Sequence, residues 1–259
     1  MVIEIDNLAL HCEVFGEGEP VLFIHGFPLS GEMWRGAAEA LSDRWRCLVP
    51  DLRGHGRSAA SAAASMARYA DDLAAMLDKL REWRPVVVVG LSMGGYIAFE
   101  FYRRHRARVR AMVLCDTRAE ADAPDGAAKR EAMAQEVLKN GSRAAADVMV
   151  DKLFAPGVSP QLRQHWHDAM SRNPPVGVAA AARALATRPD STSTLTTIDC
   201  PTLFVVGRED TLTPPAPMEA MARAIRGARL EIIEGAGHMP PVEQPGEFNR
   251  ILRGFLESL

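Results

Sequence analysis

Short, continuously apolar runs recur through the first half of the chain and again near its end. VLFIHG (residues 21–26), RCLVPD (46–51) and PVVVVG (85–90) come first. VRAMVLCDT (109–117) and PTLFVVG (201–207) follow, and the mixed stretch ARLEIIEGAGH (228–238) carries a sixth strand. A strand with one face in water alternates polar and apolar positions. Runs without that alternation predict strands covered on both faces, as in a parallel sheet. Between them the period changes. Met66, Tyr69, Leu73, Met76, Leu77 and Leu80 fall three and four residues apart and predict one amphipathic helix. Phe248, Ile251, Leu252, Phe255 and Leu256 do the same after Pro245, a residue suited to a first helical turn. The alternation of strand and helix predicts an α/β fold with a doubly wound, mostly parallel sheet.

The pattern breaks between residues 118 and 196. Alanine-rich helical stretches are interrupted there by turns at APDG, KNGS, APGVSP and RNPPVG, and no buried strand is evident. An inserted helical cap over one end of the sheet is expected, with 1–117 and 197–259 forming the core. Ordinary crossover helices are the plainer alternative.

Composition narrows the class. The 259 residues suit one large domain with an insertion, and 47% hydrophobic with 24% charged residues reads as globular. A net charge of −3 gives no global field toward nucleic acid or an anionic membrane. The basic run YRRHRARVR (102–110) sits where a helix ends, which complements the dipole, and has no aromatic interleaving beyond Tyr102. Nucleic-acid binding is not expected. Glu4 and Asp6 stand where a signal peptide carries basic residues, and no run approaches a membrane span, so a cytoplasmic location is expected. Cys12, Cys47, Cys115 and Cys200 are scattered and form no CxxC pair. They predict buried reduced thiols, not disulfides or zinc ligands. His165 and His167 flank Trp166 but lack further ligands, and no metal is expected.

One stretch carries candidate chemistry. In VVVVGLSMGGYIAFE (86–100), Gly90, Ser92 and Gly94 form G-x-S-x-G between a predicted strand and a helix. A sharp strand-to-helix turn exposes a serine hydroxyl at the helix N-terminus, and the glycines let neighbouring backbone approach. Serine is also a favoured N-cap, so a purely structural role competes. The glycines fit neither a dinucleotide fingerprint, which Leu91-Ser92 breaks, nor a P-loop, where Tyr96 stands in place of lysine. No cofactor is expected.

A serine needs a base, and the base an orienting acid. Asp210 lies just past the strand of FVVGREDTLTP, and His238 in the glycine-rich loop of IIEGAGHMPPVEQP. Both fall at the carboxyl ends of strands, where open α/β sheets build their sites, in the chain order Ser, acid, His. An imidazole with an ordinary pKa near ~6.5 suits a base at neutral pH. Asp210 has a bland role as a helix cap or turn residue. Glu209 is adjacent, Asp116 at the end of the fourth run is a second candidate acid, and His238 has a plain surface role open to it. In HGFPLS (25–30), Pro28 lacks an N–H, which leaves the Phe27 amide as a candidate oxyanion donor beside that of Met93.

The segments HGFPLSGEMW, PDLRGHGRS, GLSMGGYIAF, GREDTLTPP and GAGHMPPVEQP together make the chain resemble the α/β-hydrolase superfamily. Small carboxylesterases, cofactor-free perhydrolases of the haloperoxidase type and 3-oxoadipate enol-lactonases are the members most like it. The resemblance implies Ser92 as nucleophile, Asp210 as acid, His238 as base, Phe27 and Met93 as oxyanion donors, and a helical cap. His25, Asp51, Arg53 and His55 are expected to structure loops. The expected partner is a small-molecule ester or lactone. No basic residue can be placed beside Ser92 from sequence, which favours small neutral esters over a dicarboxylate-like lactone. Arg163, Arg172 and Arg183 in the insertion keep the lactone open. Met133, Val137, Leu153, Phe154, Trp166 and Met170 are candidates for pocket lining or for internal packing. A non-catalytic receptor on the same fold is the alternative from another class.

Overall fold

The computed structural model describes residues 1–259. Eight strands form one sheet: β1 (Val2–Ile5), β2 (Leu8–Phe15), β3 (Glu19–Ile24), β4 (Trp45–Pro50), β5 (Val86–Leu91), β6 (Val109–Cys115), β7 (Thr202–Gly207) and β8 (Arg229–Ile233). Their order is β1-β2-β4-β3-β5-β6-β7-β8. The β1/β2 and β2/β4 pairs are antiparallel; all the others are parallel. Every residue of β5 and β7 is buried, as their unbroken apolar runs require.

β1 and β2 escape a search for continuous apolar runs because water reaches one side of them. β1 alternates exposed and buried, and β2 ends half-exposed. Their signal is the turn. Asp6 and Asn7 both have positive φ, 45° and 64°, as a two-residue hairpin of primed type requires.

Eleven helices complete the chain: α1 (Arg35–Leu41), α2 (Met66–Lys79), α3 (Met93–Arg104), α4 (Pro124–Asn140), α5 (Arg143–Leu153), α6 (Pro160–Ser171), α7 (Pro175–Ala186), α8 (Thr192–Leu195), α9 (Pro215–Ala224), α10 (Pro240–Glu243) and α11 (Pro245–Glu257). α2 packs on α3 and α1 on α11. The apolar stripes of α2 and α11 read from sequence are the faces they bury. No helix is long and apolar enough to cross a membrane. All four cysteines are free and buried.

Between β6 and β7 the chain forms helices α4 to α8 and no strand, with α4 packed on α7 and α5 on α6. This segment meets the core at defined points. Arg188 is buried, forms an ion pair with Asp122 at 2.7 Å and lies 4.4 Å over the Tyr96 ring of α3. Asn173 donates to the Pro28 carbonyl at 2.7 Å and accepts from the Gly56 amide at 2.6 Å.

The chain leaves β3 toward β4 on one side, then returns to place β5 on the other. The crevice outside the carboxyl ends of β3 and β5 is therefore the topological switch point, where open α/β sheets bind ligands.

Candidate active site

β5 turns into α3 through Ser92 alone, at φ 55° and ψ −112°. For a residue with a Cβ this region costs about 1–3 kcal/mol, so the surroundings must impose it. The Ser92 amide donates to the Cys115 carbonyl at 2.9 Å. Its carbonyl accepts from the Gly95 amide at 2.9 Å and from Thr117 Oγ1 at 2.8 Å. The flanking glycines permit the approach. A Cβ on Gly90 would lie 2.4 Å from the Gly94 carbonyl oxygen, and one on Gly94 would lie 2.1 Å from that of Ile24. Ser92 occupies the N-cap position, yet its side chain makes no capping bond. The helix-start role is thus carried by its backbone and leaves the hydroxyl unused.

Asp210 follows β7 and is buried, whereas the adjacent Glu209 is exposed. Asp210 Oδ1 accepts from the amides of Leu212 (2.8 Å) and Thr213 (3.1 Å), and Oδ2 from Thr213 Oγ1 (2.5 Å). His238, in the loop after β8, is buried with Nδ1 2.7 Å from Asp210 Oδ2. Burial works to raise the Asp210 carboxyl. The His238 imidazole and the Thr213 bonds outweigh it and hold the group well below the ordinary carboxylate range.

Asp116, at the end of β6, is also fully buried and has positive φ, 44°. Its Oδ1 accepts from the Gly207 amide at 2.9 Å, while Oδ2 has no partner. Burial and the facing Asp210 carboxylate push it well above the ordinary carboxylate range. Ligand-type atoms of Asp116, Asp210 and His238 lie within 4.8 Å of one another. At 2.7 Å from a carboxylate oxygen, His238 Nδ1 is placed to donate to it, so Asp210 and His238 read as a hydrogen-bonded acid–imidazole pair with Asp116 beside it.

Ser92 and His238 line one cavity of about 620 Å³, together with Phe27, Met93, Tyr96, Met149, Leu185, Leu212 and Thr213. The Phe27 and Met93 amides have no hydrogen-bond partner within the protein. Neither does the Ser92 hydroxyl, which leaves His238 paired on its Nδ1 side only.

The loop residues read as structural do tie loops. His25 Nδ1 lies 2.9 Å from the Gly26 carbonyl, and Nε2 accepts from the Leu52 amide at 3.0 Å. Asp51 accepts from the Gly31 and Arg57 amides, Arg53 pairs with Asp72, and His55 Nδ1 meets the Arg53 carbonyl. The basic run 102–110 is spent on ion pairs: Arg103 with Glu100, Arg104 with Asp71, Arg106 with Asp199, Arg108 with Asp78 and Arg110 with Glu19.

Sequence reasoning missed three things. Thr213 bonds Asp210 directly and lies 3.2 Å from His238 Nδ1. Glu243 of α10 accepts from the amides of Gly237 (2.9 Å), Met239 (3.1 Å) and Ala155 (2.7 Å), and so holds the His238 loop. A carboxylate five residues after the histidine, at a Pro-Pro helix start, was its only signal. The third is charge. Arg118, Lys129, Arg130 and Lys152 all line the cavity, so the preference for neutral esters loses its ground. Arg163, Arg172 and Arg183 do not line it. Of the six apolar candidates in the 118–196 segment only Met133 does; the other five are buried in the hydrophobic core.

Strand order, the strained serine turn and the acid–imidazole pair at adjoining strand ends define a class. A family model described as alpha/beta hydrolase fold matches residues 19–245, and the chain belongs to that family. A thermophilic esterase from Thermogutta terrifontis, solved with malate bound, has a TM-score of 0.95. It is 42% identical, over 97% of this chain and 94% of that one. The enol-lactonase from Burkholderia xenovorans LB400 gives a TM-score of 0.91 at 26% identity, over 99% of this chain and 100% of that one. A non-heme chloroperoxidase of Kitasatospora aureofaciens is 32% identical over 98% of both chains.

Proposed function

We propose that the protein is a carboxylic ester hydrolase acting through an acyl-enzyme on Ser92, with helices of the 118–196 segment as a cap over the site. One observation carries the reading. A strained serine with an unused hydroxyl shares a cavity with a buried histidine whose far nitrogen is held by an aspartate. Strain at a non-glycine residue persists where the surrounding structure over-determines it, as functional sites do. The malate-bound esterase and the enol-lactonase among its relatives support ester or lactone substrates.

Ser92 Oγ attacks the ester carbonyl carbon as His238 Nε2 takes its proton. Asp210 keeps the Nδ1 proton in place and stabilises the imidazolium. The developing oxyanion meets the free amides of Phe27 and Met93 at the positive end of α3. Collapse expels the alcohol, protonated by His238, and leaves Ser92 acylated. Water, deprotonated by the same imidazole, releases the acid and restores the serine. A lactone follows the same course with its alcohol still tethered, and the enol-lactonase similarity makes it the second reading.

Ser92→Ala should lower kcat on a short p-nitrophenyl ester by about 10⁴-fold or more while the circular dichroism spectrum is retained. A fluorophosphonate should label wild-type protein at Ser92. Turnover surviving in the variant would overturn the nucleophile assignment, and an unlabelled Ser92 would favour a receptor.

A further inference from the structure

The cavity wall carries more positive charge than a neutral substrate needs. We propose that the site takes esters or lactones bearing a carboxylate remote from the scissile carbonyl, with Arg118 as its anchor and Lys129 and Lys152 at the mouth. The inference rests on the ester-hydrolase reading above and adds the substrate's charge.

Arg118 follows Thr117 at the end of β6, is half-buried, and lines the cavity with Ser92 and His238. One of its terminal nitrogens donates to the Leu212 carbonyl, in the loop that carries Asp210, which fixes the guanidinium on the wall. No carboxylate lies within ion-pair distance of it. Its neighbours in the chain are differently placed. Arg130 pairs with Asp122, Arg163 with Asp151 and Arg183 with Glu131. Partial burial makes an unpaired guanidinium costly in a substrate-free wall, and its planar fork matches a carboxylate in two-bond geometry.

Lys129 of α4 and Lys152 of α5 are exposed at the same cavity and have no ion-pair partner. Two acids also line it. Asp122 is claimed by Arg188 at 2.7 Å and Arg130 at 3.3 Å. Glu136 is exposed on α4, makes no ion pair, and offsets one lysine. The wall thus carries four basic side chains against two acidic ones, while the whole molecule carries −3. A cavity opposite in sign to its protein concentrates anions locally, with low-dielectric walls strengthening the effect.

The bland reading is that Arg118 only braces the Leu212 loop. The test uses monomethyl succinate, glutarate and adipate, each paired with its neutral ω-amide methyl ester, so that the spacing between the carboxylate and the scissile carbonyl is varied. Methanol release gives kcat/KM. In wild-type protein at least one acid should exceed its amide by about tenfold, and the ratio should shrink in about 0.5 M salt. Arg118→Gln keeps a donor for Leu212 but removes the charge. It should bring that ratio to within about twofold of unity, whatever it does to either rate alone. The Lys129→Gln, Lys152→Gln double variant leaves the loop untouched and should lower the ratio and its salt dependence in part.

Ratios of one or below for all three pairs, or a ratio that both variants leave in place, would overturn the proposal. Failure of the hydrolase reading looks different: wild-type protein would release methanol from no ester. The anchor is then read in wild-type protein by calorimetry, where at least one acid should bind about tenfold tighter than its amide, and equal binding in all three pairs overturns the anchor.

Discussion

Asp116 and Asp210 occupy one buried space, and their partners divide them. Asp210 receives two amides, a hydroxyl and the imidazole; Asp116 receives one amide and has a bare oxygen. Two carboxylates this close cannot both ionise at little cost. The one with four donors keeps the charge, and the one with a single donor is driven toward its protonated form. Asp210→Asn should therefore cost about 10³–10⁴-fold in kcat/KM on a p-nitrophenyl ester, because an amide holds the wrong imidazole tautomer. Asp116→Asn, which removes no bond to the imidazole, should cost less than about tenfold. The reverse order would move the acid to the end of β6. Activity should also fall on the acid side as the imidazole gains its second proton, and a flat acid limb would count against His238 as base.

At the scale of elements, two loops contain histidines that are buried without a charge partner. Burial lowers His25 to about 4, and burial together with the facing His25 lowers His55 to about 3. An unfolded chain takes up these protons near pH ~6.5, but the folded one does not. A depressed histidine contributes stability above the unfolded value and loses it as pH falls toward the folded value. Between pH ~6.5 and ~4 the two together should cost about 2–3 kcal/mol per pH unit. Urea unfolding at pH 7 and pH 5.5 measures this, and His55→Gln should bring the slope toward half. Equal stability at both pH values would contradict the buried, neutral assignment. The elements also show what a sequence discloses. β3 to β7 were legible because burial on both faces leaves unbroken apolar runs. Half-exposed β1 and β2 were not, and only the Asp6-Asn7 turn marks them. Ser92, Asp210 and His238 stood out because a tight turn and two strand ends constrain which residues fit. The cavity wall did not. Much of it comes from helices α4, α5 and α7, and which face each turns inward depends on packing. Met133 faces in while Val137, one turn on, is core.

For the whole molecule, the 118–196 segment and the His238 loop are one hydrogen-bonded body. The His238 amide donates to the Leu153 carbonyl at 2.9 Å, and Glu243 grips Ala155 and the histidine loop together. Gly237 presses so closely that a Cβ there would lie 2.6 Å from the Ala155 amide nitrogen. Glu243→Ala strands three amides and should cost about 2–3 kcal/mol in unfolding free energy, with a larger fractional loss of kcat than of substrate affinity. Glu243→Gln, which keeps acceptor oxygen, should restore part of both. An unchanged melting temperature in Glu243→Ala would show that the grip is weak. The same joint bears on how this scaffold can be re-engineered. Helices 118–196 look like a cassette to be exchanged for a relative's in order to change substrate. Residues 153–155 make them part of the histidine's own mounting, so a transplanted cassette that does not restore the carbonyl at 153 and the amide at 155 would acquire a new pocket and loosen His238 beside it.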